Sequence, residues 1–194
     1  VIFSKSNKSM RPKIQFHLLG WITLLVFPGI GLWLLWYFED IPIIEVLELH
    51  DIFTPKTLLG IEFGLFYGLF ILAVSQHDIF KSMSHHQERL FRSLQLNWGD
   101  IIFMSFCAGF GEEILFRAGI QTWLGPWITT FLFIAVHGYF NPTSWKQSML
   151  GLVLFPFILI ISFSYELLGL WFCVGAHFSY DLLMFQGVLR KRLK

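Results

Sequence analysis

Residues 14–38 read IQFHLLGWITLLVFPGIGLWLLWYF and contain no Asp, Glu, Lys or Arg. A helix needs about 20 consecutive apolar residues to cross a bilayer, so this stretch predicts a transmembrane helix. A secretory signal peptide has a shorter apolar core of roughly 7–15 residues and ends in a small-residue cleavage site. This stretch instead ends in Trp36, Tyr37 and Phe38, which are typical of the membrane–water interface.

The composition of the whole chain agrees with a membrane protein. Of its 194 residues, 55% are hydrophobic and 14% are charged, whereas about 25% are charged in soluble domains. These values exclude intrinsic disorder and a disulfide scaffold, and they argue against a soluble globular domain. The net charge of +1 gives no sign of a nucleic-acid partner. Cys107 and Cys173 are expected to be buried free thiols.

Further apolar stretches follow along the chain, and a polar segment separates the second from the third. The predicted spans lie at about 14–38, 57–75, 98–120, 126–140, 146–163 and 167–189. Apolar residues recur at helical spacing over 79–94, which predicts an amphipathic helix on the membrane surface. The sequence therefore predicts an all-α fold: a polytopic membrane bundle of about six transmembrane helices plus this surface helix. We expect one integral-membrane domain over residues 1–194.

The charges outside the spans predict the orientation. Both ends of the chain are basic, whereas the loop over 39–56 carries five acidic residues and one Lys. By the positive-inside rule, both termini are expected in the cytoplasm, and an even number of spans agrees with this. The chain begins with Val rather than Met, so further residues upstream of Val1 remain an open expectation.

Ionisable side chains inside predicted spans are costly and are usually functional. Some lie near span ends, where snorkelling to the interface or helix capping accounts for them. These are His17, Glu62, Asp100 and Glu166. Others lie near the middle of three predicted spans, and these are Glu112, Glu113, Arg117, His137, His177 and Asp181. Helical spacing pairs Glu113 with Arg117, places His177 above Asp181, and leaves Glu112 on another helix face.

This second set predicts hydrolytic chemistry. A carboxylate and an imidazole can share one water and remove its proton, and a second imidazole can donate to an oxyanion. The sequence has neither an HExxH zinc motif nor a GxSxG nucleophile motif, so no covalent nucleophile is expected. Intramembrane Glu, His and Asp also serve proton pumps, and polar groups also join helices. A transporter and a non-enzymatic binding protein therefore remain alternatives.

Three short motifs occur in order on successive predicted membrane helices: EExxxR at 112–117, FxxxH at 133–137 and HxxxD at 177–181. Together they resemble the motifs of the CAAX-protease and bacteriocin-processing family, which includes the type II CAAX prenyl endopeptidases. The resemblance covers about residues 100–185. It implies an all-helical intramembrane endopeptidase whose active site opens to the cytoplasm through a conical cavity.

The resemblance also implies a role for each motif residue. Glu112 and His137 would activate the catalytic water, and His177 and Asp181 would form the oxyanion pocket. Three further residues would support this site: Glu113 and Arg117 by holding the motif helix in place, and Phe133 by packing beneath His137.

Asp181 departs from the prenyl endopeptidases, which have Asn at this motif position. An ionised Asp cannot donate a hydrogen bond to an oxyanion. Asp181 is therefore expected either to be protonated or to orient His177. This departure and the short chain favour a prokaryotic member, located in a bacterial cytoplasmic membrane.

The implied partners are a peptide or protein substrate and membrane lipids, with C-terminal lipidation of the substrate left open. No cofactor is expected. Two His and two carboxylates can also hold zinc, which is the less favoured alternative. The alternative function is a non-enzymatic membrane protein of the same fold, such as a bacteriocin-immunity or partner-binding protein.

Overall fold

The computed structural model describes residues 3–77 and 94–192, with side chains described over 12–77 and 94–187. Every regular element in these ranges is helical, which confirms the all-α prediction. The helices are α1 (Phe3–Glu39), α2 (Ile43–Leu47), a 3-10 turn (Leu49–Asp51), α3 (Pro55–Ser75), α4 (Trp98–Glu113), a π-helix (Ile114–Ile120), α5 (Gln121–Val136), α6 (Trp145–Leu168) and α7 (Leu170–Arg192).

Within the described ranges, three helical segments are long and apolar enough to cross a membrane: Pro12–Glu39, Pro55–Ser75 and Trp145–Leu168. They correspond to the first, second and fifth predicted spans. Large apolar side chains such as Phe66 and Leu152 point outward from them, as expected for surfaces in contact with lipid. The count of six spans stays a prediction, and the amphipathic helix predicted over 79–94 lies outside the described residues except for Leu94.

The third and fourth predicted spans form one continuous helical path. The sequence predicted two separate spans over 98–120 and 126–140. The structure has no loop between them, because α4 runs into the π-helix and then into α5. The break is only a kink at Gly125, which has φ 68° and precedes Pro126. The path also ends earlier than 140, because Gly138 takes a left-handed conformation with φ 75°. His137 therefore lies at the C-terminal end of α5 and not near the middle of a span.

The boundary between the fifth and sixth predicted spans was also wrong. Helix α6 continues to Leu168 instead of ending at 163, and Gly169 ends it with φ 83°. Glu166 was expected to open the sixth span but lies in the last turn of α6. The backbone at Gly169 needs a conformation that other residues rarely adopt, and this glycine sets the break.

Helix α7, which carries His177 and Asp181, packs closely along α3. Gly60 and Gly64 on α3 face the backbone carbonyls of Phe172 and Ala176, and a Cβ atom at either glycine would collide with them. Small residues at four-residue spacing let two helix backbones approach in this way. The glycines of α3 therefore fix how close α7 lies to the rest of the bundle.

The start of α7 is tied to the loop before α3. The Leu170 amide donates a hydrogen bond to Oε2 of Glu48 at 2.9 Å, and the Trp171 indole donates to the Leu47 carbonyl at 2.8 Å. A carboxylate at a helix N-terminus satisfies a free N–H and complements the helix dipole. This contact fixes where α7 begins.

The expectation that Asp100 caps its helix is confirmed. Its side chain accepts a hydrogen bond from the Asn97 amide at 2.7 Å, and its own amide donates to the Asn97 side chain at 3.1 Å. Lys13 and His17 of α1 also contact this carboxylate, at 2.6 and 2.8 Å. Snorkelling of His17 to the interface stays a prediction, and its ring also pairs with the buried Asp100. Glu62 is exposed on α3.

Candidate active site

The ion pair predicted between Glu113 and Arg117 is present and wholly buried. Arg117 Nε donates to Glu113 Oε2 at 2.9 Å, and both side chains are 0% exposed. Glu113 is the last residue of α4, and Arg117 lies in the π-helix. Short π-helical turns within α-helices often mark functional sites. Here the π-helix begins directly after Glu113, contains Arg117 and leads into α5, whose C-terminal cap is His137.

The second carboxylate oxygen of Glu113 contacts a different helix. Oε1 lies 2.8 Å from Nδ1 of His177, and the His177 side chain is 7% exposed. A carboxylate paired with Arg117 can only accept, so Nδ1 of His177 carries the proton of this hydrogen bond. Glu113 thereby fixes the ring of His177 and leaves its Nε2 directed away from the ion pair.

Beyond the ion pair, Arg117 continues into a buried polar network. Its Nη1 donates to Ser162 Oγ at 3.0 Å, and that oxygen lies 2.9 Å from Thr130 Oγ1. Gln121 Nε2 donates to the Ser162 carbonyl at 2.8 Å. These three polar residues were not expected at the site. The available signal was their polarity within otherwise apolar helices.

Glu112 faces the other histidine. Oε2 of Glu112 lies 3.3 Å from Nε2 of His137, with side chains 13% and 33% exposed. Nδ1 of His137 donates to the Phe133 carbonyl at 2.7 Å, because a carbonyl can only accept. In the neutral ring, the unprotonated Nε2 therefore faces Glu112. This Glu112 oxygen is buried and makes no hydrogen bond within the described part of the chain.

The ring of Phe133 lies between the two histidines. It stacks on His137 with centroids 4.3 Å apart, and it meets His177 edge-on at 5.8 Å. The Arg117 guanidinium lies 5.3 Å from its centroid on the ring face. Phe133 thus separates the Glu112–His137 pair from the ion pair while holding both histidine rings in place.

Asp181 lies one turn after His177 on α7. Its Oδ2 is 3.7 Å from Nε2 of His177, which is an ion-pair distance and too long for a direct hydrogen bond. The Asp181 side chain is 21% exposed, so the open side of the cluster lies here and at His137.

The structure thus brings the six charged or imidazole residues of the motifs, together with Phe133, into one cluster from α4, the π-helix, α5 and α7. No group of three or more His, Cys, Asp or Glu with metal-binding geometry occurs in residues 3–77 and 94–192. Cys107 and Cys173 are buried and free, as expected.

Residues 94–183 match the family model described as type II CAAX prenyl endopeptidase Rce1-like. This segment is similar to the CAAX-protease family. The match contains all three motifs and every residue of the cluster, and it spans slightly less than half of the chain. It agrees with the resemblance found in the sequence, and the matched family is a family of proteases. No curated protein and no solved structure matches the chain.

Within the matched segment, Glu113 has a contact that the motif spacing did not reveal. The sequence assigned it to Arg117 alone, whereas it also holds His177. The contact joins α4 to α7, and sequence spacing carries no information on how two separate helices are rotated against each other. The site therefore has two carboxylate–imidazole pairs, Glu112 with His137 and Glu113 with His177.

Proposed function

We propose that this chain is an intramembrane endopeptidase that hydrolyses peptide bonds of membrane-associated substrates with a water activated by Glu112 and His137. The observation that carries the proposal is the 3.3 Å approach of Glu112 Oε2 to Nε2 of His137. Both atoms are proton acceptors when Glu112 is ionised and His137 is neutral. A water bound beside these two atoms can donate hydrogen bonds to them.

In the proposed first step, the water oxygen attacks the scissile carbonyl carbon as one of its protons moves to the Glu112–His137 pair. The carbonyl π electrons move to oxygen, giving a tetrahedral intermediate with an oxyanion. When the C–N bond breaks, the same pair returns the proton to the leaving amine. The water thus supplies one hydrogen to the amine and its oxygen to the new carboxyl group, and no covalent enzyme intermediate forms.

The second histidine is proposed to bind the oxyanion. Since Nδ1 of His177 is committed to Glu113 at 2.8 Å, only Nε2 is free to donate. An imidazolium with protons on both nitrogens makes both interactions together. Donors fixed before the reaction stabilise a developing oxyanion strongly, because they need no reorganisation.

For Asp181 we propose orientation of His177 and not direct donation. Its oxygen lies on the Nε2 side of the His177 ring, 3.7 Å away. An ionised carboxylate there attracts an imidazolium electrostatically and cannot itself donate to an oxyanion. This role suits Asp where the prenyl endopeptidases carry Asn.

The proposed substrate is a peptide or protein that reaches the site from the membrane surface. The name of the matched family suggests a lipidated C-terminus as the first substrate class to test. We further propose that the protein lies in a bacterial cytoplasmic membrane with both termini in the cytoplasm, and that it needs no metal ion.

The proposal is tested by cleavage of prenylated and unprenylated C-terminal peptides by the purified protein. Glu112→Gln should reduce kcat about 10²–10⁴-fold, the usual contribution of a general base. Glu62→Gln is the matched control, because Glu62 is an exposed glutamate on α3. Equal cleavage by Glu112→Gln and the wild type would refute the mechanism. No cleavage of any peptide by the wild type would favour the non-enzymatic alternative.

A further inference from the structure

A hydroxyl group outside the three motifs lies at the centre of the buried polar network. Ser162 on α6 is 0% exposed. Its Oγ accepts from Arg117 Nη1 at 3.0 Å and contacts Thr130 Oγ1 at 2.9 Å. Its carbonyl accepts from Gln121 at 2.8 Å. The π-helix, α5 and α6 therefore meet at this one residue.

The orientation of the Arg117 guanidinium depends on its contact with Ser162. Within the described residues, its Nε binds Glu113, its Nη1 binds Ser162, and its buried Nη2 makes no hydrogen bond. Because the guanidinium is planar and rigid, these two contacts at different nitrogens fix both its position and its tilt. If the Ser162 contact is removed, the group can turn about its bond to Glu113.

We infer that Ser162 is a positioning residue that fixes His177 through Arg117 and Glu113. The links are 3.0 Å from Ser162 to Arg117, 2.9 Å from Arg117 to Glu113 and 2.8 Å from Glu113 to His177. This inference rests on the proposed function, in which His177 receives the oxyanion. Ser162 itself touches no reacting group.

Because these three hydrogen bonds are short, a change at Ser162 can reach the His177 ring. Each of the three hydrogen bonds has at least one ionised partner in a buried setting, where charge-assisted bonds are strongest. The donors of an oxyanion site act only in a narrow geometry, and a displacement of 1 Å can cost about 10²-fold in rate. A turn of Arg117 shifts Glu113, and the His177 ring follows the carboxylate that holds it.

The test compares Ser162→Ala with Ser105→Ala. Ser105 is also 0% exposed, and its hydroxyl makes no hydrogen bond within the described residues. The two variants remove the same atom from equally buried serines. We expect Ser162→Ala to lower kcat about tenfold, from loss of one hydrogen bond to a charged group, with KM changed less than about twofold. Ser105→Ala should keep kcat within about twofold of the wild type.

A second readout needs no substrate. The Nδ1 proton of His177 can be followed by 15N NMR of histidine-labelled protein in micelles, with the signal assigned by its loss in His177→Gln. A proton held by Glu113 exchanges slowly with water. Ser162→Ala should accelerate its exchange at least about tenfold, as expected for a weakened charge-assisted bond. Ser105→Ala should leave the exchange unchanged.

Unchanged kcat and unchanged proton exchange in Ser162→Ala would overturn the inference. Equal effects of Ser162→Ala and Ser105→Ala would also overturn it, because any buried hydroxyl would then serve. If the wild type cleaves no peptide, the proposed function fails, and proton exchange alone still decides whether Ser162 positions His177.

Discussion

Nδ1 of His177 lies 2.8 Å from Oε1 of Glu113, whose other oxygen binds Arg117 at 2.9 Å. The neighbouring Glu112 faces His137 instead, at 3.3 Å. Adjacent residues on a helix point about 100° apart, so two successive glutamates can serve two different histidines. In the proposed mechanism, this arrangement separates water activation from the support of the oxyanion donor.

Replacing Glu113 by Gln should lower kcat about 10–100-fold, because His177 loses a charge-assisted hydrogen bond. KM should change little, since Glu113 is fully buried and lies behind His177. Steady-state cleavage kinetics check this prediction, with Glu62→Gln as the control. A change confined to KM would instead assign Glu113 to substrate binding.

Replacing Arg117 by Met should destabilise the protein by about 3–5 kcal/mol, because Glu113 is left as an unpaired buried charge. Denaturant or thermal unfolding in detergent measures the change. The double variant Glu113→Gln with Arg117→Met should regain most of the loss, because no charge then remains buried without its partner. A double variant no more stable than Arg117→Met would show that packing, and not charge, dominates.

The pH dependence of kcat/KM should be bell-shaped. At low pH, protonation of the Glu112–His137 pair removes the base that accepts the water proton. At high pH, the proton needed by the leaving amine and by the His177 donor is lost. Rates of peptide cleavage across the neutral range test this. A flat profile would count against a water shared by Glu112 and His137.

Cleavage should survive treatment with EDTA and 1,10-phenanthroline at concentrations that inactivate a zinc peptidase assayed in parallel. The proposed chemistry draws its base and its oxyanion donor from Glu112, His137 and His177 alone. Loss of activity in chelator, restored by added zinc, would move these three residues into a metal site.

The packing of α3 on α7 gives a prediction about stability. Gly64→Val should destabilise the protein by about 1–3 kcal/mol, because the added side chain meets the Ala176 carbonyl. It should also lower activity, since α7 carries His177. Gly29→Ala is the control, as a Cβ there meets no atom within 4 Å. It should be neutral or stabilising by up to about 1 kcal/mol, and a loss equal to that of Gly64→Val would contradict the packing argument.

The sequence predicted much of the cluster because ionisable groups in apolar helices are costly and therefore conspicuous. Glu113 and Arg117 could also be paired from spacing alone, since they lie one turn apart on one helix. The link from Glu113 to His177 depends on the relative rotation of α4 and α7. No periodicity in either segment records that rotation.

The helix ends were harder to predict than the helices. Gly125, Gly138 and Gly169 all adopt positive φ values, and each lies at a kink or a helix end. In apolar segments rich in glycine, hydropathy does not distinguish these positions from glycines that only allow close packing, such as Gly64. The sequence analysis placed the helix boundary at the charged residue Glu166. The backbone conformation of Gly169 sets that boundary instead.

On the prediction that 98–120 spans the membrane, the Glu113–Arg117 pair also bears on how the chain enters the bilayer. A charged residue at the centre of a membrane helix costs about 2.5–3.5 kcal/mol at insertion. These two partners lie four residues apart, so they can neutralise each other before α6 and α7 have been synthesised. Ser162 and His177 follow later in the chain, so on this prediction they join a carboxylate and a guanidinium that are already paired. The first residues of the network to be synthesised are thus the two charged residues whose insertion into the membrane costs most free energy.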